Sequence, residues 1–377
     1  MVSTMWIIKA TKFRLYPNKE QQIRIDKTLD CCRFVYNHML ERNIKAYKRR
    51  GKHLSYISMQ NLLPKIKTYL PWLKVDSQAL KYACRQLDTA YQKFFRHEAG
   101  FPRFHKKTGR QAYTTTNAKA IHIDGNKVKI PTLGWIKVKG IRSLPEGSII
   151  CHITVSRDPD EKYYGSLTYK YEVDILSQTA SNILGLDYKS DGLYVDSDGN
   201  TADMPHWFRD SQAKLMRQQR KLSKKIGSRK GEKKSSGWIK QHRRVARLQK
   251  KIANQRLDYL HKESKRLADT YDAIAVEDLD MKALSNNSFG NGKATMDNGY
   301  GMFVRMLEYK LQHQGKQLVK VNRWYPSTQT CSKCGGKQKI PLTTRIYQCP
   351  HCGFVLDRDH NAAINIKHEA ERTLKAA

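Results

Sequence analysis

Acidic residues are scarce here relative to basic ones: 34 Asp and Glu stand against 70 Lys and Arg, a formal net charge of +36 over 377 residues. A compact fold carrying that excess repels itself unless a polyanion neutralises it. Nucleic acid is therefore the expected partner, gripped largely through counterion release from its phosphates. Composition alone leaves a purely structural RNA binder open. Long apolar runs are missing as well: no stretch approaches the ~18–20 residues that a membrane span needs. The start, MVSTMWIIKATKFRLY, lacks the basic-then-apolar design of a secretory signal, so a cytoplasmic protein is expected. Cysteine is sparse, eight in all, with four in one C-terminal cluster. The other four, Cys31, Cys32, Cys84 and Cys151, read as small buried residues of a protein kept in a reducing compartment. The length suits two or three domains, each with its own core.

The C-terminal cluster runs CSKCGGKQKIPLTTRIYQCPHCG. Two Cys-x2-Cys knuckles, Cys331/Cys334 and Cys349/Cys352, flank a 14-residue loop. Four thiolates at this spacing can close a tetrahedral shell on one Zn²⁺, and such a closed shell is structural, not catalytic. Gly335, Gly336 and Gly353 let the backbone bend so that its amides approach the sulfurs. Directly afterwards comes Asp357-Arg358-Asp359-His360-Asn361-Ala362-Ala363, an acidic pair ahead of an alanine-rich helix. Taken alone, that pair reads as helix capping.

From the start, residues 4–14 alternate as a strand, and LYPNKEQ then opens a helix over Lys19 to about Arg50. Its helical spacing runs through Ile23, Ile25, Leu29, Cys32, Val35, Tyr36, Met39 and Leu40. Further helices are predicted over Tyr56–Tyr69 and, after the PWLKV break, over Ser77–Arg96. A basic loop, GFPRFHKKTGRQ, closes this helical module. Its Arg103, Lys106, Lys107 and Arg110, mixed with Phe101 and Phe104, suit a nucleic-acid groove. From Ala112 to about Tyr171 the period switches to two, predicting short strands that, with the first one, make a small barrel interrupted by the helices. Residues 172–182 read as a linker.

ILGLDYKSDGLYVDSDGN then reads as a hairpin with Asp187 at the tip of a buried strand, a place where a lone Asp is usually a turn residue. The next stretch, 214–268, is the most basic of the chain and predicts two amphipathic helices around a Gly/Ser-rich break. Arg220, Lys221, Lys224 and Lys225 precede or fall in the break. Arg243, Arg244, Arg247, Lys250 and Lys251 follow it. Few acids balance them, which favours a phosphate-binding face over a merely solvated one. YDAIAVEDLD delivers Glu277 at the end of a second buried strand. Residues 285–300 read as a flexible loop, followed by a helix from about Gly301 to Gln314 and a strand, KQLVKVN.

Asp187 and Glu277 thus close two buried strands, and Asp359 opens the terminal helix. In an RNase H-like fold, adjacent strand ends gather such carboxylates, and hard oxygen ligands are what Mg²⁺ prefers. Two ions ~3.5–4 Å apart can activate a water and stabilise the departing 3′ oxygen of a phosphodiester.

These segments, with FRLYPNKEQ, CCRFVYNHML, PWLKVDSQAL, NQRLDYLHK, AVEDLDMKAL, YPSTQTCSKCG and CPHCGFVLDRDHNAAINI, make the chain resemble the TnpB family over almost its full length. That family comprises transposon-encoded, RNA-guided DNA endonucleases related to type V CRISPR effectors. The resemblance implies a multidomain α+β protein. Residues 1–14 and 111–175 correspond to a wedge-like β-barrel, and 15–110 to a helical recognition module. Residues 183–328 and 354–377 correspond to a RuvC-like nuclease domain, with 329–353 as its zinc-ribbon insert. It implies catalytic, Mg²⁺-binding roles for Asp187, Glu277 and Asp359, Asp359 being chosen over Asp357 by the family's D-x-N-A-A pattern, and a zinc site at the four ribbon cysteines. It also implies a transposon-end guide RNA, double-stranded target DNA read beside a short adjacent motif, and action as a monomer with its RNA. Tyr188-Lys189 departs from the family: Lys189 beside a metal site either lowers metal affinity or meets substrate phosphate. Two other functions compete with the nuclease, namely an RNA-guided DNA-binding repressor that does not cut and a transposase or transposase-accessory DNA-binding protein. The presence of all three acids favours cutting.

Overall fold

The computed structural model describes residues 2–107, 109–176, 180–229, 231–285, 292–341 and 343–376. The chain divides into two compact units, one of residues 6–173 and one of 174–377 together with 1–5. No described helix is long and apolar enough to cross a membrane.

In the 6–173 unit, β1 (Val2–Tyr16) is followed by three helices: α1 (Lys19–Arg50), α2 (Tyr56–Tyr69) and α3 (Ser77–Phe95). Helix α1 starts at a reciprocal capping box, in which Asn18 Oδ1 accepts the Gln21 amide at 2.8 Å and Gln21 Oε1 accepts the Asn18 amide at 3.1 Å. It stops at Gly51, whose φ of 65° is left-handed. The predicted apolar face of α1 is buried from Ile25 to Leu40, but Ile23 lies outside it and is exposed. Strands β2 (Gln111–Thr115), β3 (His122–Asp124), β4 (Lys127–Ile130), β5 (Gly134–Lys139), β6 (Ile149–Arg157) and β7 (Tyr163–Leu176) follow. With β1 they form one seven-stranded sheet in the order β2-β6-β7-β1-β5-β4-β3, and among the described residues no pairing closes it into a ring. Helices and sheet share a single core, in which Leu29, Val35, Leu80 and Leu87 join Phe13, Tyr113, Val155 and Leu167. The expected 172–182 linker is shorter than its composition suggests, because β7 continues to Leu176.

The 174–377 unit is built on a mixed five-stranded sheet. Strand β8 (Ile183–Tyr188) forms a hairpin with β9 (Tyr194–Asp196), and β10 (Thr201–Ala202) adds at the edge. Two basic helices, α4 (Trp207–Ser223) and α5 (Ser236–Thr270), come before β11 (Ala273–Glu277). After α6 (Met281–Leu284), residues 292–298 form a helix, α7 (Gly292–Asn298), where a loop was expected; 286–291 lie outside the described residues. Then come α8 (Tyr300–Gln312) and β12 (Gln317–Val321), and the sheet order is β10-β9-β8-β11-β12 with β8, β11 and β12 parallel. A two-stranded ribbon, β13 (Ile346–Gln348) and β14 (Val355–Asp357), leads into α9 (Arg358–Ala376).

Strands β8 and β11 are buried on both faces, as their near-continuous apolar sequence requires, while β12 lies at the sheet edge with Gln317 and Lys320 exposed. Leu184, Leu186, Ile274 and Val276 pack with Leu260 and Leu267 of α5 and with Phe303, Leu307 and Leu311 of α8. The opposite face carries small residues: Ala273, Ala275 and Gly185 lie under α9, whose Ile366 and Ala370 pack there. The approach at Gly185 is extreme. A Cβ on this residue would sit 2.1 Å from the Ala363 carbonyl oxygen and 2.7 Å from the Lys367 amide nitrogen, so only glycine fits.

Candidate active site

The sheet register brings the first two acids together. Leu186 pairs with Val276, so the next residues, Asp187 one short of the end of β8 and Glu277 at the end of β11, lie at one level on adjacent parallel strands. Side chains alternate along a strand, so both acids share the face of Gly185 and Ala275, the face that α9 covers. The small residues that draw α9 onto the sheet therefore also bring its first turn, which carries Asp359, to the same end. Asp187 is only 8% exposed. Burial pushes its carboxyl well above the usual carboxylate range, and the charges of Glu277 and Asp359 push it further. Burial raises Glu277 as well, and this is opposed by a hydrogen bond that Ser327 Oγ donates to Glu277 Oε1 at 3.0 Å. The phenol of Tyr300, buried and without a hydrogen-bond partner, also feels the Asp187 and Glu277 charges.

Asp357 and Asp359 are separated by their hydrogen bonds. Asp357 Oδ1 accepts the amides of Asp359 and His360, each at 3.0 Å, and so caps α9. Asp359 instead faces cations: Arg358 donates to its Oδ1 at 2.9 Å, and Arg345 Nη1 lies 3.5 Å from its Oδ2. Asp187 and Asp359 line a cavity of about 350 Å³ with Lys189, Arg345 and Arg358 among its other walls. Lys189 Nζ lies 3.8 Å from Asp203 Oδ1.

The four ribbon cysteines form the only group among the described residues whose three or more His, Cys, Asp or Glu ligand atoms all lie within 4.8 Å of one another. Cys331 and Cys352 sulfurs are 3.7 Å apart, and Cys334 and Cys349 sulfurs 3.5 Å. A tetrahedron with Zn–S bonds of about 2.3 Å has edges of about 3.8 Å, so the quartet fits zinc. The three acids do not form so tight a group. Arg358 and Arg345 engage Asp359 instead. A buried carboxylate raised by two like charges, beside an orphaned phenol, fits a cation with its water.

Sequence reasoning missed the polar support beneath these acids. Asn361 and Asn365 of α9 are buried. Asn361 Nδ2 donates to the Thr330 carbonyl at 2.8 Å, and its Oδ1 accepts the Ser332 amide at 3.0 Å. Asn365 Nδ2 donates to the Ser327 and Thr330 carbonyls at 2.8 and 2.6 Å. Two asparagines four apart on an alanine-rich face, with serines and threonines just before the first knuckle, were the available signal.

The candidate nucleic-acid cations are dispersed. Arg103 and Lys106 are exposed, while Lys107 pairs with Asp30 at 2.6 Å and Arg110 lies 3.6 Å from Asp158. Arg220, Lys221, Lys224 and Lys225, near the end of α4, are exposed, as are Arg244, Arg247 and Lys251 on α5. Arg243 and Lys250 are half-buried and engaged within the fold.

Three family descriptions match the chain: "Helix-turn-helix domain" over residues 5–52, "Probable transposase" over 166–288 and "Cas12f1-like, TNB domain" over 300–366. Residues 5–52 here hold a strand and one unbroken 32-residue helix, with no second helix across a turn. The "Putative RNA-guided DNA endonuclease" of Streptomyces pristinaespiralis is 33% identical over 363 residues, spanning 95% of this chain and 88% of that protein. The "Putative RNA-guided DNA endonuclease InsQ" of Escherichia coli (strain K12) is 31% identical over 377 residues, spanning 95% of this chain and 91% of that protein. A cryo-EM structure of a Cas12f1–sgRNA–target DNA complex superposes with a TM-score of 0.56 at 14% identity, over 97% of this chain and 99% of that one, a likeness of fold. With two relatives above 30% identity along nearly its whole length, the chain belongs to the TnpB family.

Proposed function

We propose that this protein is a transposon-encoded, RNA-guided DNA endonuclease that hydrolyses phosphodiester bonds with Mg²⁺ at Asp187, Glu277 and Asp359. The observation that carries the reading is the convergence of three acids, far apart in sequence, at one end of the β8–β11 pair, where the charges of Glu277 and Asp359 act on buried Asp187. Divalent ions at such carboxylates supply an activated water and charge neutralisation at the departing 3′ oxygen. The chain's own residues do the rest. Asp187 and Glu277 present oxygens from rigid strand ends, and Asp359 presents its own from the first turn of α9. Lys189, Arg345 and Arg358 give the cavity cations that meet a phosphate backbone.

In this reading the 174–377 unit contains the RuvC-like nuclease, residues 183–328 and 354–377, with 329–353 as a zinc-bound insert that contacts target strand. The barrel-like and helical parts, 1–14 with 111–175 and 15–110, grip guide RNA and read the short adjacent DNA motif. Base pairing then reads the remaining sequence. The exposed cations of α4 and α5 and of the 101–110 loop hold phosphates. The protein works as a monomer with its RNA in the cytoplasm.

The test is purified protein with its guide RNA, a plasmid bearing the matching target, and Mg²⁺. Linear product that disappears in Asp187→Ala supports the assignment. Bound but intact plasmid with Mg²⁺ present favours the repressor, and cutting by Asp187→Ala refutes the metal site.

A further inference from the structure

Between β12 and the first zinc knuckle, residues 322–330 connect three parts of the nuclease unit. Ser327 is 3% exposed, and its single hydroxyl proton is donated to Glu277 Oε1 at 3.0 Å. Its carbonyl accepts Asn365 Nδ2 at 2.8 Å, from the same helix that presents Asp359 in its first turn. The same Asn365 amide also reaches the Thr330 carbonyl at 2.6 Å, one residue before Cys331. A continuous set of hydrogen bonds, buried or partly buried, therefore runs from Thr330, next to the zinc knuckle, through Asn365 and Ser327 to Glu277. The Ser327 hydroxyl can only orient Glu277 if its backbone is fixed; the Ser327 amide donates to the Tyr325 carbonyl at 2.8 Å within the turn, and Asn365 ties that turn to α9. Asn361 closes the other side of Thr330, so the segment has little freedom to slide.

We propose that Ser327 is a positioning residue that aims the Glu277 carboxylate into the metal site, and that Asn365 and the zinc-tied Cys331 hold Ser327 in place to do so. The inference rests on the metal-dependent nuclease reading and adds a route by which the ribbon acts on Glu277. Outer partners of metal ligands typically tune affinity by about 10–100-fold. Ser327 would do this without touching ion or substrate.

The experiment uses the full-length, zinc-loaded chain freed of nucleic acid, titrated with Mn²⁺ and followed by electron paramagnetic resonance. Ser327→Ala is expected to raise the half-saturating Mn²⁺ concentration about 10-fold. Zinc content should stay at the wild-type level and thermal unfolding should remain cooperative. Asn365→Ala should act in the same direction, and the double variant should bind Mn²⁺ no more weakly than the more damaging single variant, because the two act in series. Wild-type Mn²⁺ affinity in Ser327→Ala overturns the inference, as do additive effects. A loss of affinity accompanied by loss of zinc or of the cooperative transition also overturns it, because Ser327 would then be scaffold alone. Asp187→Ala is the control for the underlying reading. If it binds Mn²⁺ as wild type does, the metal site itself is wrong and both conclusions fall. If it loses Mn²⁺ while Ser327→Ala does not, only the positioning role fails.

Discussion

Asp357 and Asp359 stand two residues apart and face different tasks: the first accepts two amides at the start of α9, and the second turns its carboxylate to Arg358 and Arg345. Asp357→Ala should lose about 1 kcal/mol of stability, the usual worth of a helix cap, and still cut DNA in a metal-dependent way. Asp359→Ala should not cut at any Mg²⁺ concentration. Thermal melts and plasmid assays on the two variants check this directly, and equal loss of cutting in both would mean that the two carboxylates share the site.

The burdened state of Asp187 has a consequence for stability. A carboxyl whose folded pKa is raised destabilises the fold once pH exceeds its unfolded value, near 3.9, and the penalty is complete above the folded value. Asp187→Asn should therefore raise the melting temperature of the chelator-treated protein at neutral pH, by about 2–4 °C per kcal/mol relieved. The gain should shrink as pH falls towards 4. A gain independent of pH would point to packing instead.

At Gly185 the α9 backbone leaves no room for a methyl group. Gly185→Ala should cost roughly 1–3 kcal/mol or more and push α9 away from β8, reducing cutting with all three acids still present. Denaturant unfolding of this variant beside wild type measures the cost, and unchanged stability would mean that the helix sits farther from the strand.

Zinc removal should act at a distance. Cys331→Ser or Cys349→Ser should release the metal, loosen the ribbon and lower cutting, although neither side chain lines the acid cavity. Elemental analysis alongside the plasmid assay tests it. Fully active protein without zinc contradicts it.

The triple variant Lys221→Ala, Lys224→Ala, Lys225→Ala removes three exposed cations near the end of α4. If all three meet phosphates, the slope of log affinity against log salt should flatten by up to about 3. An unchanged slope would mean that these lysines face only water.

Helix and strand periods and the cysteine spacing were legible in the sequence because each rests on local pattern, whereas the three acids read locally as turn and capping residues and were singled out only together and through the family resemblance. The rest depended on pairing. Alternation marked the strands of the first unit but carried no record of which edges meet; the order β2-β6-β7-β1-β5-β4-β3 came only from the described pairings. Apolar spacing placed Ile23 on the buried face of α1, yet two residues turn the helix by about 200°, so Ile23 points to solvent while Ile25 is buried. Arg243 and Lys250 look like their exposed neighbours in a run of cations and are distinguished by being half-buried and engaged. Ser327 and Asn365 are ordinary polar residues until folding brings them to a carboxylate 50 positions upstream and a carbonyl 38 positions back.

The hydrogen bonds from Asn361 and Asn365 to the Thr330 carbonyl fasten the start of the ribbon excursion to the helix that resumes after it. The excursion therefore leaves and rejoins the nuclease at a single clasped neck. A finger attached in this way can be lengthened between Cys334 and Cys349 for a closure entropy that grows only with the logarithm of its length. The neck, together with Arg345 where the finger reaches back to Asp359, is the part that engineering must leave untouched.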